Sequence, residues 1–214
     1  MSSVTVRHDL RDRFGPSRDQ GGRPTCLSFA ASDAHAAARG QPWLALSCEY
    51  LYYQAKQRDG LKPSAGTTTV AIQAALEDDG QPAEIEWPYL TSLPSNIDDW
   101  LPPAARTLYR RQFHTTNPGF NQIWAKIEAD IPILMSMTIS DAFFTPDERG
   151  VVDAWEPEQP TLRHAVVAVA TGECAKSRLV LVRNSWGNTW GLSGYAWLSE
   201  LYLSPRIQDV LNPY

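Results

Sequence analysis

Cys26 and His164 stand 138 residues apart, and chemistry that uses both obliges the chain to fold one onto the other. Gln20 lies six residues before Cys26, inside Arg18-Asp19-Gln20-Gly21-Gly22. After Cys26 runs Leu27-Ser28-Phe29-Ala30-Ala31, the start of an Ala-rich segment that favours helix. His164 opens an apolar run with Ala165, Val166 and Val167, and Asn184-Ser185-Trp186-Gly187 follows. A thiol that attacks, an imidazole that moves the proton, an amide that orients the imidazole and a second amide for an oxyanion make a cysteine nucleophile system. Such a system joins a helix start to a strand and to the turn after a later strand.

These segments resemble those of the papain-like cysteine peptidases. The spacing of Gln20 and Cys26 matches the family, as does Asn184-Ser185-Trp186-Gly187-Asn188-Thr189-Trp190-Gly191 with Gly194-Tyr195 after it. His164-Ala165-Val166-Val167-Ala168-Val169 is similar to its histidine strand, and the Cys-to-His separation lies in its range. The similarity runs over roughly residues 8–200. It implies an α+β fold of two lobes in one catalytic domain, 1–214. A helical lobe, about 14–105, would pack on an antiparallel, β-barrel-like lobe, about 106–203, joined by residues 1–13, with the active cleft between.

The resemblance also implies roles. Cys26 is the nucleophile, His164 its proton acceptor, Asn184 the orienting amide and Gln20 the oxyanion donor, paired with the Cys26 backbone N–H. Trp186 would cover the His164–Asn184 hydrogen bond. Gly66, beside Thr67, is similar to the glycine segment whose backbone pairs with an extended peptide. Ala165, Met135 and Thr68 would line the second specificity pocket. No metal or cofactor is implied, and the partner is a protein or peptide substrate.

Three positions depart from the family pattern. Leu27 replaces the Trp that commonly follows the nucleophile. Arg23 stands where secreted members carry a disulfide cysteine, so the loop before Cys26 must rely on packing and on Pro24. Arg163 precedes His164 where Asp or Asn is frequent, and is either a solvated cation or a reader of acidic substrate groups.

Read singly, each residue has a plainer alternative: a buried core cysteine, a satisfied core histidine, a turn asparagine, a polar turn glutamine. Cys26 at a helix N-terminus would have its thiolate favoured by the helix dipole and by an imidazolium nearby.

The net charge of −5 argues against a nucleic-acid footprint. Residues 2–20 are polar and charged, so neither a signal peptide nor a membrane span is expected. With Cys48 and Cys174 as the remaining cysteines, a disulfide is not expected. A cytoplasmic location follows as the expectation, with delivery to another cell by a signal-peptide-independent route left open. About 19 residues precede Gln20, too few for an inhibitory prodomain, so control is expected from elsewhere, a separate inhibitor or immunity protein included.

Periodicity and caps predict helices over Cys26–Arg39 with Thr25 as cap, from Cys48 to about Gln57 with Ser47 as cap, and Val70–Asp79 opened by Thr67 or Thr68. Asn117-Pro118 reads as another helix start. Alternation from Ile131 to Ile139 predicts a strand, with further strands at His164–Ala170, Leu179–Arg183 and Tyr195–Leu198, and a turn at Gly172. Residues 4–13 read as extended. No Gly-x-Ser-x-Gly, Walker or His-Glu-x-x-His motif occurs. The expected function is hydrolysis of peptide bonds through an acyl-thioester. The alternatives are a transpeptidase or acyltransferase on the same thioester, and a peptide-binding module without catalysis.

Overall fold

A computed structural model describes residues 3–153 and 162–214. Strand β1 (Thr5–Asp9) leads through a short turn to helix α1 (Cys26–Arg39), followed by α2 (Cys48–Asp59) and α3 (Thr69–Ala74). Then come β2 (Phe113–Thr116), α4 (Phe120–Glu128), β3 (Ile133–Thr138), α5 (Asp141–Phe144) and β4 (Val151–Val152). The chain closes with β5 (Arg163–Cys174), β6 (Ser177–Arg183), β7 (Tyr195–Ser199), α6 (Glu200–Leu203) and β8 (Ile207–Pro213). Among the described residues no helix is long and apolar enough to cross a membrane.

The sheet runs β2-β8-β3-β5-β6-β7-β4, with β1 added along β5. It stays open, so the barrel-like closure expected for this lobe is not formed, and its last pair, β4 with β7, is parallel. Strand β5 is the axis of the molecule. Its first half pairs with β3 from Thr138↔Arg163 to Ile133↔Ala168, its second half with β1, and its other edge with β6. Nine consecutive residues from His164 to Gly172, less the glycine, are buried small or branched side chains and two polar ones. A strand covered on both faces reads as a continuous apolar run in this way.

Helix α1 packs against β5 and β3. Ala30, Ala31, Ala34 and Ala37 are buried, and small side chains let the helix lie close on the sheet. Every residue from Leu27 to Ala37 is buried, so this stretch of α1 has no side facing solvent. Its polar residues therefore need partners inside the protein. Ser32 donates to the Leu46 carbonyl (2.9 Å) and His35 Nδ1 meets Gln81 Oε1 (2.9 Å). Asp33 accepts from Arg18 (2.5 Å) and from Arg183 Nε (2.6 Å).

Several local expectations are corrected. Gly172 lies inside β5 under the Trp197 ring; the turn falls instead at Ala175-Lys176, where φ is 47° and 74°. Thr25 does not cap α1: its hydroxyl bonds the Tyr89 hydroxyl at 2.8 Å. Ser47 does cap α2, accepting from Tyr50 N, and Thr68 caps α3, accepting from Ala71 N. The α3 segment widens into a π-type turn over Ala75–Asp79 before Gly80, at φ 74°. Helix α4 begins at Phe120, past Asn117-Pro118, with Gly119 as its cap residue. Strand β8 lies inside the sheet, beyond the expected end of the β region near 203. Of the N-terminal segment, Thr5–Asp9 is extended and Arg11–Arg13 forms a 3₁₀ turn.

Candidate active site

Cys26 is the first residue of α1, and the loop that delivers it is held by charge. Arg23 is buried, with Nη1 2.6 Å from Glu49 Oε2 and Nη2 3.0 Å from Glu49 Oε1. Nη1 also donates to the Leu90 carbonyl at 2.5 Å, and the guanidinium lies over the Tyr52 and Tyr89 rings. Glu49 accepts further bonds from Trp100 Nε1 (2.7 Å) and Leu90 N (3.0 Å), so the fully buried carboxylate is completely partnered. The Arg23–Glu49 pair ties the loop to α2, a tie that the expected packing and Pro24 would not supply alone. No disulfide joins Cys26, Cys48 or Cys174.

Gln20 is fixed from both ends of its amide. Ser185 Oγ donates to Gln20 Oε1 (2.7 Å), Gln20 Nε2 donates to the Arg23 carbonyl (2.8 Å), and Gln20 N donates to the Ser185 carbonyl (2.8 Å). A primary amide carries two N–H donors, so one remains after the bond to Arg23. Ser185 follows Asn184 directly, so Gln20 and Asn184 are placed by one short segment.

His164 sits near the start of β5, buried, with Nε2 donating to Asn184 Oδ1 at 2.6 Å. In the neutral ring this leaves the lone pair on Nδ1. The same Asn184 oxygen accepts from Ser185 N at 2.8 Å. The Trp186 ring lies 4.7 Å from the His164 ring, centroid to centroid, and Phe143 stands edge-on at 5.7 Å. Asn184 follows the last residue of β6, Arg183, whose guanidinium reaches Asp33, the Gly15 and Pro16 carbonyls and the Tyr195 hydroxyl. Through Asp33 that network ties α1 to β6 beneath the site.

Cys26 and His164 line one cleft of about 360 Å³. Of the expected substrate-binding residues, Gly66, Thr67, Thr68, Arg163 and Ala165 line it too. Met135 does not: it is fully buried, and its neighbour Ser136 faces the cleft. Alternation along a strand sends neighbours to opposite faces, so the sulfur packs into the core. Trp186 lines a separate groove with Phe144, Trp190 and Leu192. Asp209 in β8 lines the cleft as well and was not expected. The only sequence signal for Ser136 was its polarity within Ile-Leu-Met-Ser-Met-Thr; Asp209 carried none, because β8 itself was not foreseen.

The edge of the cleft is braced from behind. Lys56 Nζ, its side chain 1% exposed, donates to the Gly66 carbonyl (3.0 Å) and to Asp59 Oδ2 (3.1 Å), and Thr67 Oγ1 donates to the same carboxylate oxygen (2.7 Å). The Gly66 loop is thereby held against α2.

Electrostatics in the site run against one expectation. Burial pushes the Cys26 thiol up, and backbone groups of Ala165, Leu27 and Cys26 only partly offset it. Burial also pushes His164 down to about 4, against the opposing bond to Asn184. Desolvation of both groups thus opposes the thiolate–imidazolium pair that a helix N-terminus favours. The two groups still put an acid and a base in one cleft, between a fixed amide and an anchored histidine.

The profile of the papain family cysteine proteases matches residues 3–202. The chain belongs to the papain family. It is 28% identical to mouse cathepsin K over 192 residues, covering 86% of this chain and 56% of that one. The chain thus spans about half the length of the curated relatives it matches. Xylellain, a cysteine protease from Xylella fastidiosa, shares the fold with a TM-score of 0.76 at 20% identity, over 99% of this chain and 86% of that one. The larval digestive procathepsin L 3 of Tenebrio molitor gives a TM-score of 0.77 at 19% identity, over 98% and 69%.

Proposed function

We propose that this chain is a cysteine endopeptidase in which Cys26, His164, Asn184 and Gln20 form the catalytic set. The observation that carries the reading is the 2.6 Å bond between His164 and Asn184 in a cleft that also holds Cys26. His164 Nδ1 takes the thiol proton as Sγ adds to the substrate carbonyl carbon. The resulting oxyanion meets the second Gln20 N–H and the Cys26 backbone N–H; one such donor typically contributes about 2.7–4 kcal/mol in the transition state. His164 then returns the proton to the leaving amine, the C–N bond breaks, and a thioester remains on Cys26. Water, deprotonated by His164, attacks the thioester and releases the acid and the thiol.

Because burial disfavours charge on both groups, this reading assigns proton transfer to the moment of attack. The Gly66 edge, braced by Lys56, pairs with the substrate backbone as an added strand. Trp186 shields the His164–Asn184 bond from water and forms a wall on the leaving-group side through its groove with Phe144 and Leu192.

The test is cleavage of a proteome-derived peptide library read by mass spectrometry, with and without Cys26→Ala. The expected result is cleavage by the native chain and its loss, by at least about 10³-fold, in the variant. Retained cleavage by Cys26→Ala overturns the reading. Products joined to an added amine in place of acids would move the assignment to acyl transfer on the same thioester. Peptide binding with no cleavage and no iodoacetamide adduct on Cys26 would make the chain a binding module.

A further inference from the structure

Gln20 and Cys26 carry the two oxyanion donors of the peptidase reading, and two exposed glycines stand between them, Gly21 at φ 56° and Gly22. Glycine leaves the backbone its widest freedom, so this turn does not set its own span. Tyr89 closes it from a distance. Its hydroxyl lies 2.8 Å from the Gln20 carbonyl and 2.8 Å from Thr25 Oγ1. A carbonyl only accepts, so the one phenolic proton goes to Gln20, and Thr25 is the donor to the Tyr89 oxygen. A chain of two hydrogen bonds thus joins the main chain of Gln20 to the residue directly before Cys26.

The bond completes the fixing of Gln20. Ser185 and Arg23 hold its side-chain amide, Ser185 also holds its backbone N–H, and Tyr89 takes the remaining backbone group. A second bridge runs inside the turn, where the Arg23 carbonyl accepts from Gln20 Nε2 and from Thr25 N, both at 2.8 Å. The tyrosine itself is seated on the helix that begins at Cys26. Its ring meets Phe29 edge-on at 4.7 Å, the Arg23 guanidinium lies 5.0 Å from the ring centre, and Tyr89 N donates to Glu84 Oε1 at 2.9 Å. Burial raises the Tyr89 hydroxyl above its ordinary range, against the opposing bond from Thr25, so the proton needed for the bond to Gln20 is present at neutral pH.

An oxyanion is stabilised best by donors that already stand where its charge develops. One donor is on the Gln20 side chain, and the other is the Cys26 N–H, in the peptide that Thr25 opens. Tyr89 does not line the cleft, so its effect on catalysis passes through the residues it holds. We infer that Tyr89 is a positioning residue whose hydroxyl sets the distance between the two oxyanion donors. The inference rests on the peptidase reading for the oxyanion and goes beyond it in tying the rate to a hydroxyl outside the cleft.

The experiment compares the native chain with Tyr89→Phe, which keeps the ring and its packing, and with Thr25→Val, which keeps the bond to Gln20 and removes the other. Each is assayed on the most rapidly cleaved peptide of the library, with iodoacetamide alkylation of Cys26 followed in parallel. Acylation and deacylation both pass through an oxyanion, so Tyr89→Phe is expected to lower kcat about tenfold with KM within about twofold. Alkylation forms no carbonyl oxyanion, and its rate should stay within about twofold of the native one. In a Gln20→Ala background the effect of Tyr89→Phe should shrink to about threefold or less, because one of the two positioned donors is already gone. Thr25→Val should lower kcat by about threefold, again without slowing alkylation, and it decides the matter if Tyr89→Phe does not fold. An unchanged kcat, a rise in KM alone, or an undiminished effect in the Gln20→Ala background overturns the inference, while cleavage by the native chain keeps the peptidase reading. Equal losses of hydrolysis and alkylation overturn it too, since they mark a displaced thiol. A native chain that consumes no peptide fails the peptidase reading, and the role of Tyr89 falls with it.

Discussion

Cys26 and His164 reach the same cleft by different means. The loop before Cys26 has no regular backbone ladder, and side-chain charge holds it: Arg23 with Glu49, and Tyr89 on the Gln20 carbonyl at 2.8 Å. His164 lies on a strand paired with β3 at its own position and with β6 from Val167 onward, packed among valines and alanines. The first arrangement depends on a few strong, partnered groups, and the loss of one partner strands the other in a buried place. The second spreads its support over many weak contacts and tolerates small changes. Geometry on the thiol side is therefore brittle, and on the imidazole side redundant.

Removing the carboxylate that anchors the thiol loop is the severest test of this contrast. Glu49→Ala leaves Arg23 buried without its anion, and an expected loss of about 3–5 kcal/mol should appear in urea unfolding. A loss under about 1 kcal/mol would mean that packing, not the ion pair, holds the loop.

A pH series probes the buried histidines, one in the strand and one in α1. Burial holds both His164 and His35 down to about 4, with Arg111 and Arg39 adding to the effect at His35 and its bond to Gln81 opposing it. Their folded values lie below the ordinary value of about 6.5, so the unfolded chain binds more protons between those limits. The stability they contribute is complete above about pH 6.5 and is lost as pH falls towards 4, by about 3 kcal/mol for each ring. Asp33 adds to the loss at lower pH. Burial acts to raise its carboxyl, but Arg18 and Arg183 outweigh burial and hold it below its ordinary value. His35→Gln should flatten the pH dependence of unfolding between 6.5 and 4; an unchanged slope would show that His35 is not buried neutral.

Smaller effects sharpen the picture on the sheet side. Met135→Leu preserves volume in the core and is expected to cost less than about 1.5 kcal/mol. It should leave the substrate profile unchanged, because the side chain faces away from the cleft. A shifted profile with unchanged stability would return Met135 to the pocket. Thr25→Val removes the bond to Tyr89 and should lower the melting free energy by about 1 kcal/mol, with no loss of helix by circular dichroism. Fraying of α1 would instead restore Thr25 as a helix cap.

Much of the candidate site was legible because its signals are local. Gln20, Cys26, His164 and Asn184 each sit in a short motif, and order and spacing along the chain are enough to recognise them. The Ser47 and Thr68 caps were likewise readable, since a cap bonds within three residues of itself. Thr25 looked the same in sequence and failed as a cap because Tyr89, 64 residues on, offers its hydroxyl another partner. Gly172 read as a turn, yet it is a point of close approach to Trp197, set by pairing between β5, β6 and β7.

From the residues alone came the parts of a thiol–imidazole–amide system, the α+β class, the helix that carries Cys26 and the strand that carries His164, since helix and strand periods and short motifs depend on neighbours in the chain. Only the folded arrangement decided that Ser136 rather than Met135 faces the cleft, that Asp209 lines it, that Asp33 joins two arginines, and that burial opposes charge on the thiol and the imidazole. Those outcomes depend on sheet register, on which face of a strand is covered, and on how much water is excluded around a charge. Each is set by residues far away in the sequence.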